Sequence, residues 1–135
     1  VQKLVEKAGE RVKFTGYIEN QKLYRYYQSA DIQVIPSLWE EAAGLIAIEG
    51  MLSGLPLIIT KSGGMIEYAP SNVAVWIDRD NIIPNLEAAI TQLADDKEKR
   101  KEMSELSLER AKEFPKKKFY EDYIEVFEYE RIGER

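Results

Sequence analysis

The chain has 135 residues, 44% of them hydrophobic and 32% charged, which is enough for one buried core and short for two domains. It contains no cysteine and no histidine, which excludes disulfide frameworks, thiolate nucleophiles, Cys/His zinc sites and a histidine general base. A net charge of −5 disfavours nucleic acid as a partner, and no apolar run approaches the roughly 20 residues that span a bilayer. A reducing, cytoplasmic setting is the expectation, although a chain without cysteine is compatible with either compartment. A first residue of Val1 rather than Met suggests a piece of a longer polypeptide.

In chain order, Leu4, Val5 and Ala8 sit at helical spacing and read as the tail of a helix. Residues 12–18 alternate around Phe14, Gly16 and Ile18 and predict a strand. Asn20 is placed to cap a helix whose inner stripe is Leu23, Tyr27 and Ala30. Residues 31–35 predict a second strand, closed by Pro36 and Ser37. A helix over about 44–53 carries Leu45, Ile48 and Leu52 on its inner face and stops at Gly54. Residues 55–60 are almost wholly apolar and predict a strand covered on both faces, as in a parallel sheet. Ser62-Gly63-Gly64 then turns into a short helix containing Glu67, and residues 73–77 predict a fourth strand.

The remainder is helical. Leu86, Ala89, Ile90 and Leu93 mark one amphipathic helix, and Met103, Leu106, Ala111 and Phe114 a second. Tyr120, Tyr123, Ile124 and Phe127 mark a third, set off by Pro115, and the mixed-sign run 95–102 reads as a solvated helix face. Strands alternating with helices imply βαβ units: a Rossmann-like layered α/β domain, mainly parallel, with right-handed crossovers and a helical C-terminal third.

The densest chemistry lies in Pro36-Ser37-Leu38-Trp39-Glu40-Glu41-Ala42-Ala43-Gly44-Leu45, continuing through Glu49 to Gly54. This is a strand end, a small-residue turn and a helix start. In open parallel sheets, ligands sit beyond the carboxyl ends of strands, where a helix N-terminus offers N–H groups and a positive dipole to phosphate. Glu49 lies about 7–8 Å down the helix axis from Gly44, at ~1.5 Å per residue, and helical side chains lean back toward the N-terminus. Its carboxylate can therefore meet the two vicinal hydroxyls of a ribose. On spacing alone, an exposed Glu49 and a helix-start Glu41 remain the more ordinary reading.

Seven residues separate Glu41 from Glu49, and this stretch resembles the E-x7-E signature of family 4 glycosyltransferases. The resemblance extends to Phe14-Thr15-Gly16-Tyr17, Ser29-Ala30-Asp31, Pro36-Ser37, Gly54-Leu55-Pro56-Leu57-Ile58, Gly63-Gly64 with Glu67, and Phe114 ahead of a tyrosine-rich helix. It implies a retaining, nucleotide-sugar-dependent enzyme of the GT-B fold. Glu49 would bind the donor ribose, and Glu41 would act at the reaction centre beside the transferred sugar. The backbone of Ala42, Ala43, Gly44 and Leu45 would hold sugar hydroxyls and diphosphate, with Gly16 and Tyr17 against the nucleobase. Tyr17 reads equally as core packing, Gly63 and Gly64 as structural turn residues, and Trp39 as either a packing residue or an acceptor-side wall.

Where many members carry a bulky aromatic before the signature glycine, this chain has Ala43. The Glu-Ala-Ala-Gly form is similar to lipopolysaccharide-core glucosyltransferases and to capsule or exopolysaccharide enzymes, which implies cell-envelope glycan synthesis. The expected donor is a UDP-sugar, with no metal and no separate cofactor. The acceptor would be a glycan or lipid-linked molecule, approached through an N-terminal domain outside this chain, with peripheral association at the inner face of the membrane. The resemblance also implies that residues 1–135 are the later part of a donor-binding domain. It implies as well that the first strand–helix units, with the basic residues that neutralise the diphosphate, lie upstream. The competing readings are a non-catalytic interaction module of the same fold, whose surface Tyr24, Tyr26 and Tyr27 would supply, and a nucleotide-sugar epimerase.

Overall fold

A computed structural model describes residues 7, 9–40 and 44–115. After a 3-10 turn at Gly9–Arg11, the elements run α1 (Asn20–Ser29), β1 (Gln33–Ile35), α2 (Leu45–Leu52), β2 (Leu57–Thr60), α3 (Met65–Tyr68), β3 (Ala74–Ile77), α4 (Ile82–Asp95) and α5 (Lys97–Ala111). The expected helices around Leu4 and around Tyr120, Tyr123, Ile124 and Phe127 lie outside the described residues.

The three strands form one parallel sheet in the order β1-β2-β3. Gln33 pairs with Leu57 and Ile35 with Ile59 on one side of β2, while Leu57 pairs with Ala74 and Thr60 with Ile77 on the other. All four β2 residues are buried, as the unbroken apolar run predicts. Alternate β2 side chains feed two cores. Leu57 and Ile59 join Ile35, Ala74, Ala47, Met51 and Met65 on one face, while Ile58 joins Ile77, Ala89, Leu93 and Met103 on the other. Helices therefore cover both faces, and the α/β Rossmann-like expectation holds.

Helix ends are tied by polar groups the periodicity does not reveal. The charged run 95–102 contains a helix break: Asp96 accepts from the Lys99 N–H at 2.8 Å and caps α5, while Arg100 donates to the last carbonyls of α4, those of Leu93 and Ala94. Ser107 of α5 is fully buried and donates to the Leu55 carbonyl at 3.0 Å, fastening α5 beneath the lead-in to β2. Arg110 donates to the Tyr68 and Glu67 carbonyls and lies over the Phe114 ring.

Three expectations are corrected. Residues 12–18 form no strand: they pair with none of the three described strands, and Gly16 at φ 65° turns the backbone out of the extended region. The cap of α1 sits one residue earlier, at Glu19, with no side-chain hydrogen bond, and α1 buries no residue: Leu23 and Tyr27 are half-buried and Ala30 is exposed. In α2 the inner face is Ala47, Gly50 and Met51, with Ile48 partly buried, whereas Leu45 is 62% and Leu52 59% exposed. Small residues let α2 lie close to the sheet. A Cβ at Gly50 would fall 2.9 Å from Leu57 Cδ2 and 1.7 Å from Gln33 Oε1, so the larger side chains are turned away.

These two faces of α2 and β2 give a direct test. Ile59→Ala removes a fully buried side chain and should cost about 2–5 kcal/mol of stability in urea melts. Leu52→Ala, on the outer face, should stay within about 0.5 kcal/mol of wild type.

Candidate functional site

The carboxyl ends of the three parallel strands converge on one edge, and the chain leaving β1 is lashed to both neighbours there. Thr60, the last residue of β2, is buried and donates its hydroxyl to the Ser37 carbonyl at 2.6 Å. Ser62, also buried, donates to the Trp39 carbonyl. Glu40 accepts the Gly63 N–H on Oε2 at 2.8 Å and pairs through Oε1 with Arg79, just beyond β3. Arg79 also reaches the Leu38 carbonyl at 3.4 Å. The Arg79 guanidinium and the Gly63 N–H together hold the Glu40 carboxyl below its usual range, against a smaller opposing effect of desolvation. Neither Glu40 nor Arg79 is marked by a motif or by spacing in the sequence. The available signal is that a parallel sheet puts the residues after each strand on the same edge, so opposite charges there can meet.

The structure places the predicted site residues unevenly. Glu41, Ala42 and Ala43 lie outside the described residues. Gly44 immediately follows and is buried, its Cα facing Met65 so that a Cβ would approach Met65 Cγ to 3.0 Å. Its carbonyl accepts from the N–H groups of Ala47 and Ile48, closing the first turn of α2, which Leu45 opens. Glu49 is exposed one turn further on, and the Tyr27 hydroxyl donates to its Oε2 at 2.9 Å. Partial burial first, then the hydrogen bond and charge of Glu49, push the Tyr27 phenol up to about 12, while the Gln33 side chain acts the other way. The hydroxyl is thus a proton donor throughout the neutral range.

Gly16 and Tyr17 stand apart, before α1. Tyr17 is 91% exposed, so the core-packing reading fails. It lines an open cavity of about 370 Å³ with Thr15, Ile18, Lys22, Arg25 and Tyr26. Trp39 is 80% exposed, which removes its packing role as well. Gly63 and Gly64 are turn residues leading into α3, with the Gly63 N–H already taken by Glu40. The two basic side chains just past β2 and β3 are both paired: Lys61 with Asp78 at 3.0 Å, and Arg79 with Glu40. Among the described residues, no group of three or more acidic side chains converges as a metal site, and no helix is long and apolar enough to cross a membrane.

In open parallel α/β sheets, ligands sit beyond the carboxyl ends of the strands, and this edge is where the segments after β1, β2 and β3 meet. Comparison with known proteins is more specific. The model of the glycosyl transferases group 1 family matches residues 1–110, and the chain belongs to that family. It is 32% identical over 105 residues to a D-inositol 3-phosphate glycosyltransferase of Corynebacterium diphtheriae, covering 77% of this chain and 24% of that protein. It is 35% identical over 68 residues to an uncharacterised glycosyltransferase of Methanocaldococcus jannaschii, covering 50% of this chain and 17% of the relative. Among solved structures it is similar to the sucrose-phosphate synthase of Thermosynechococcus elongatus, with a TM-score of 0.82 at 27% identity over 95% of this chain and 34% of the synthase. The chain thus spans a quarter or less of the length of these two curated relatives.

The Glu40 latch can be checked directly. Arg79→Ala should raise the Glu40 carboxyl toward its ordinary value, as read by carboxyl NMR titration. The sign follows from linkage: a depressed native pKa adds stability above the ordinary carboxylate range and loses it as the pH falls through the native value. The variant should therefore lose less stability than wild type on acidification.

Proposed function

We propose that the chain is the nucleotide-sugar-binding part of a retaining GT-B glycosyltransferase. The observation that carries this reading is the placement of Glu49 on α2, behind a helix start at the carboxyl edge of the sheet, with its carboxylate held by Tyr27. Family membership and the seven-residue spacing from Glu41 support it.

In this reading the donor diphosphate lies at the first turn of α2, where the backbone from Ala42 to Leu45 supplies N–H groups and the positive end of the helix dipole. The Glu49 carboxylate accepts from the ribose hydroxyls, and Glu41 contacts the sugar near its anomeric carbon. The bond from that carbon to the diphosphate oxygen breaks, and a bond to an acceptor hydroxyl forms with retention, the hydroxyl proton leaving with the diphosphate. Fixed donors aimed at the leaving oxygens lower the barrier, because they stabilise charge that grows as the bond breaks. Gly16 and Tyr17 border the nucleobase, beside the open cavity before α1. The donor is a UDP-sugar delivering a hexose, and the acceptor is a glycan or lipid-linked molecule of cell-envelope polysaccharide synthesis, handled by the intact polypeptide on the cytoplasmic side.

The two carboxylates should separate by role. Glu49→Ala in the intact polypeptide should weaken nucleoside diphosphate binding by more than tenfold in calorimetry, since a hydrogen bond to a charged group is worth about 1.5–3 kcal/mol. Unchanged affinity would remove Glu49 from the site. Glu41→Gln should instead lower kcat by about tenfold to a thousandfold, roughly 1.4–4 kcal/mol, with donor affinity little changed. A normal kcat with only a lower Tm would leave Glu41 structural.

A further inference from the structure

We infer that Tyr27 is a positioning residue for Glu49, ordering its carboxylate before a nucleotide arrives. The inference rests on the reading of Glu49 as the ribose-binding group and adds to it a residue of α1, 22 positions earlier in the chain.

The geometry is specific. Glu49 is an exposed glutamate on the outward side of α2, and such a side chain ordinarily samples several rotamers and loses that freedom only on binding. Here the Tyr27 hydroxyl donates to Oε2 at 2.9 Å, so one oxygen of the carboxylate is held within the chain before any ligand binds. The tyrosine can hold it because its ring is packed against the core that contains Ile35, Ala47 and Met51, so the hydroxyl is carried on a rigid stem. Its neighbours Tyr24 and Tyr26 are about half exposed and do not belong to that core.

The other side of the bond is fixed as well. Gln33 of β1 donates its side-chain amide to the Ile46 carbonyl at 3.2 Å, tying β1 to the first turn of α2. Its Oε1 is buried in a niche that exists only because residue 50 is glycine, since a Cβ there would lie 1.7 Å away. That niche is next in sequence to Glu49. The backbone bearing the carboxylate and the hydroxyl that orients it are therefore both registered against β1.

The test uses the intact polypeptide and calorimetry with the tightest-binding of UDP, GDP and ADP, together with the 2′,3′-dideoxy analogue of that nucleotide. Tyr27→Phe keeps the ring and its packing and removes the hydroxyl alone. It should weaken binding of the ribonucleotide by roughly 3- to 10-fold, leave the dideoxy analogue within twofold, and have no further effect in a Glu49→Ala background. Thermal melts on the same samples report any general loss of structure. The inference is overturned if Tyr27→Phe binds the ribonucleotide like wild type, weakens both nucleotides equally, or weakens binding again without Glu49. If Glu49→Ala weakens binding and Tyr27→Phe does not, only the positioning role falls. If Glu49→Ala changes nothing, or no diphosphate binds, the donor-site reading falls and takes the positioning role with it.

Discussion

Complete burial of β2 on both faces is the constraint on which the rest of the molecule depends. Four consecutive side chains, Leu57 to Thr60, must find cover in opposite directions, so helices have to lie above and below one sheet. Parallel strands then follow, because each helix returns the chain to the starting edge. The functional consequence is geometric. Every strand delivers its following loop to the same edge, and segments far apart in sequence, those after Ile35, Thr60 and Ile77, become neighbours.

That edge is ordered by polar contacts. Thr60 and Ser62 are buried hydroxyl donors to backbone carbonyls of the loop leaving β1, and Glu40 ties the same loop to Gly63 and Arg79. Neutral hydrogen bonds of this kind contribute only about 0.5–1.5 kcal/mol each, and an exposed ion pair less. Their importance lies in direction: they fix the backbone of the loop leaving β1 as far as Glu40. The Tyr27–Glu49 bond does the same for a carboxylate on α2.

The fold was largely legible because apolar periodicity reports burial. The apolar run 55–60 contains the doubly covered strand Leu57–Thr60, and Leu86, Ala89 and Leu93 lie on a helix face that the structure does bury or half-bury, whereas Ile90, read with them, is exposed. What could not be read was set by partners. Residues 12–18 have a strand's pattern, yet a strand exists only by pairing, and they pair with none of the described strands. The α2 helix is apolar almost all round, so spacing favoured Leu45 and Leu52, whereas close packing required the small Ala47 and Gly50 inside. Glu49 was visible through its spacing from Glu41 and the resemblance that spacing carries. Glu40, Arg79 and the bond from Tyr27 were not, because each depends on side chains brought together across 22 to 39 positions.

The most direct measurement is a structure of the intact polypeptide with a bound nucleoside diphosphate. The diphosphate should lie against the first turn of α2 and both ribose hydroxyls on the Glu49 carboxylate, with the Tyr27 hydroxyl still bonded to Oε2. A nucleotide bound elsewhere, or a ribose out of reach of Glu49, would contradict this placement.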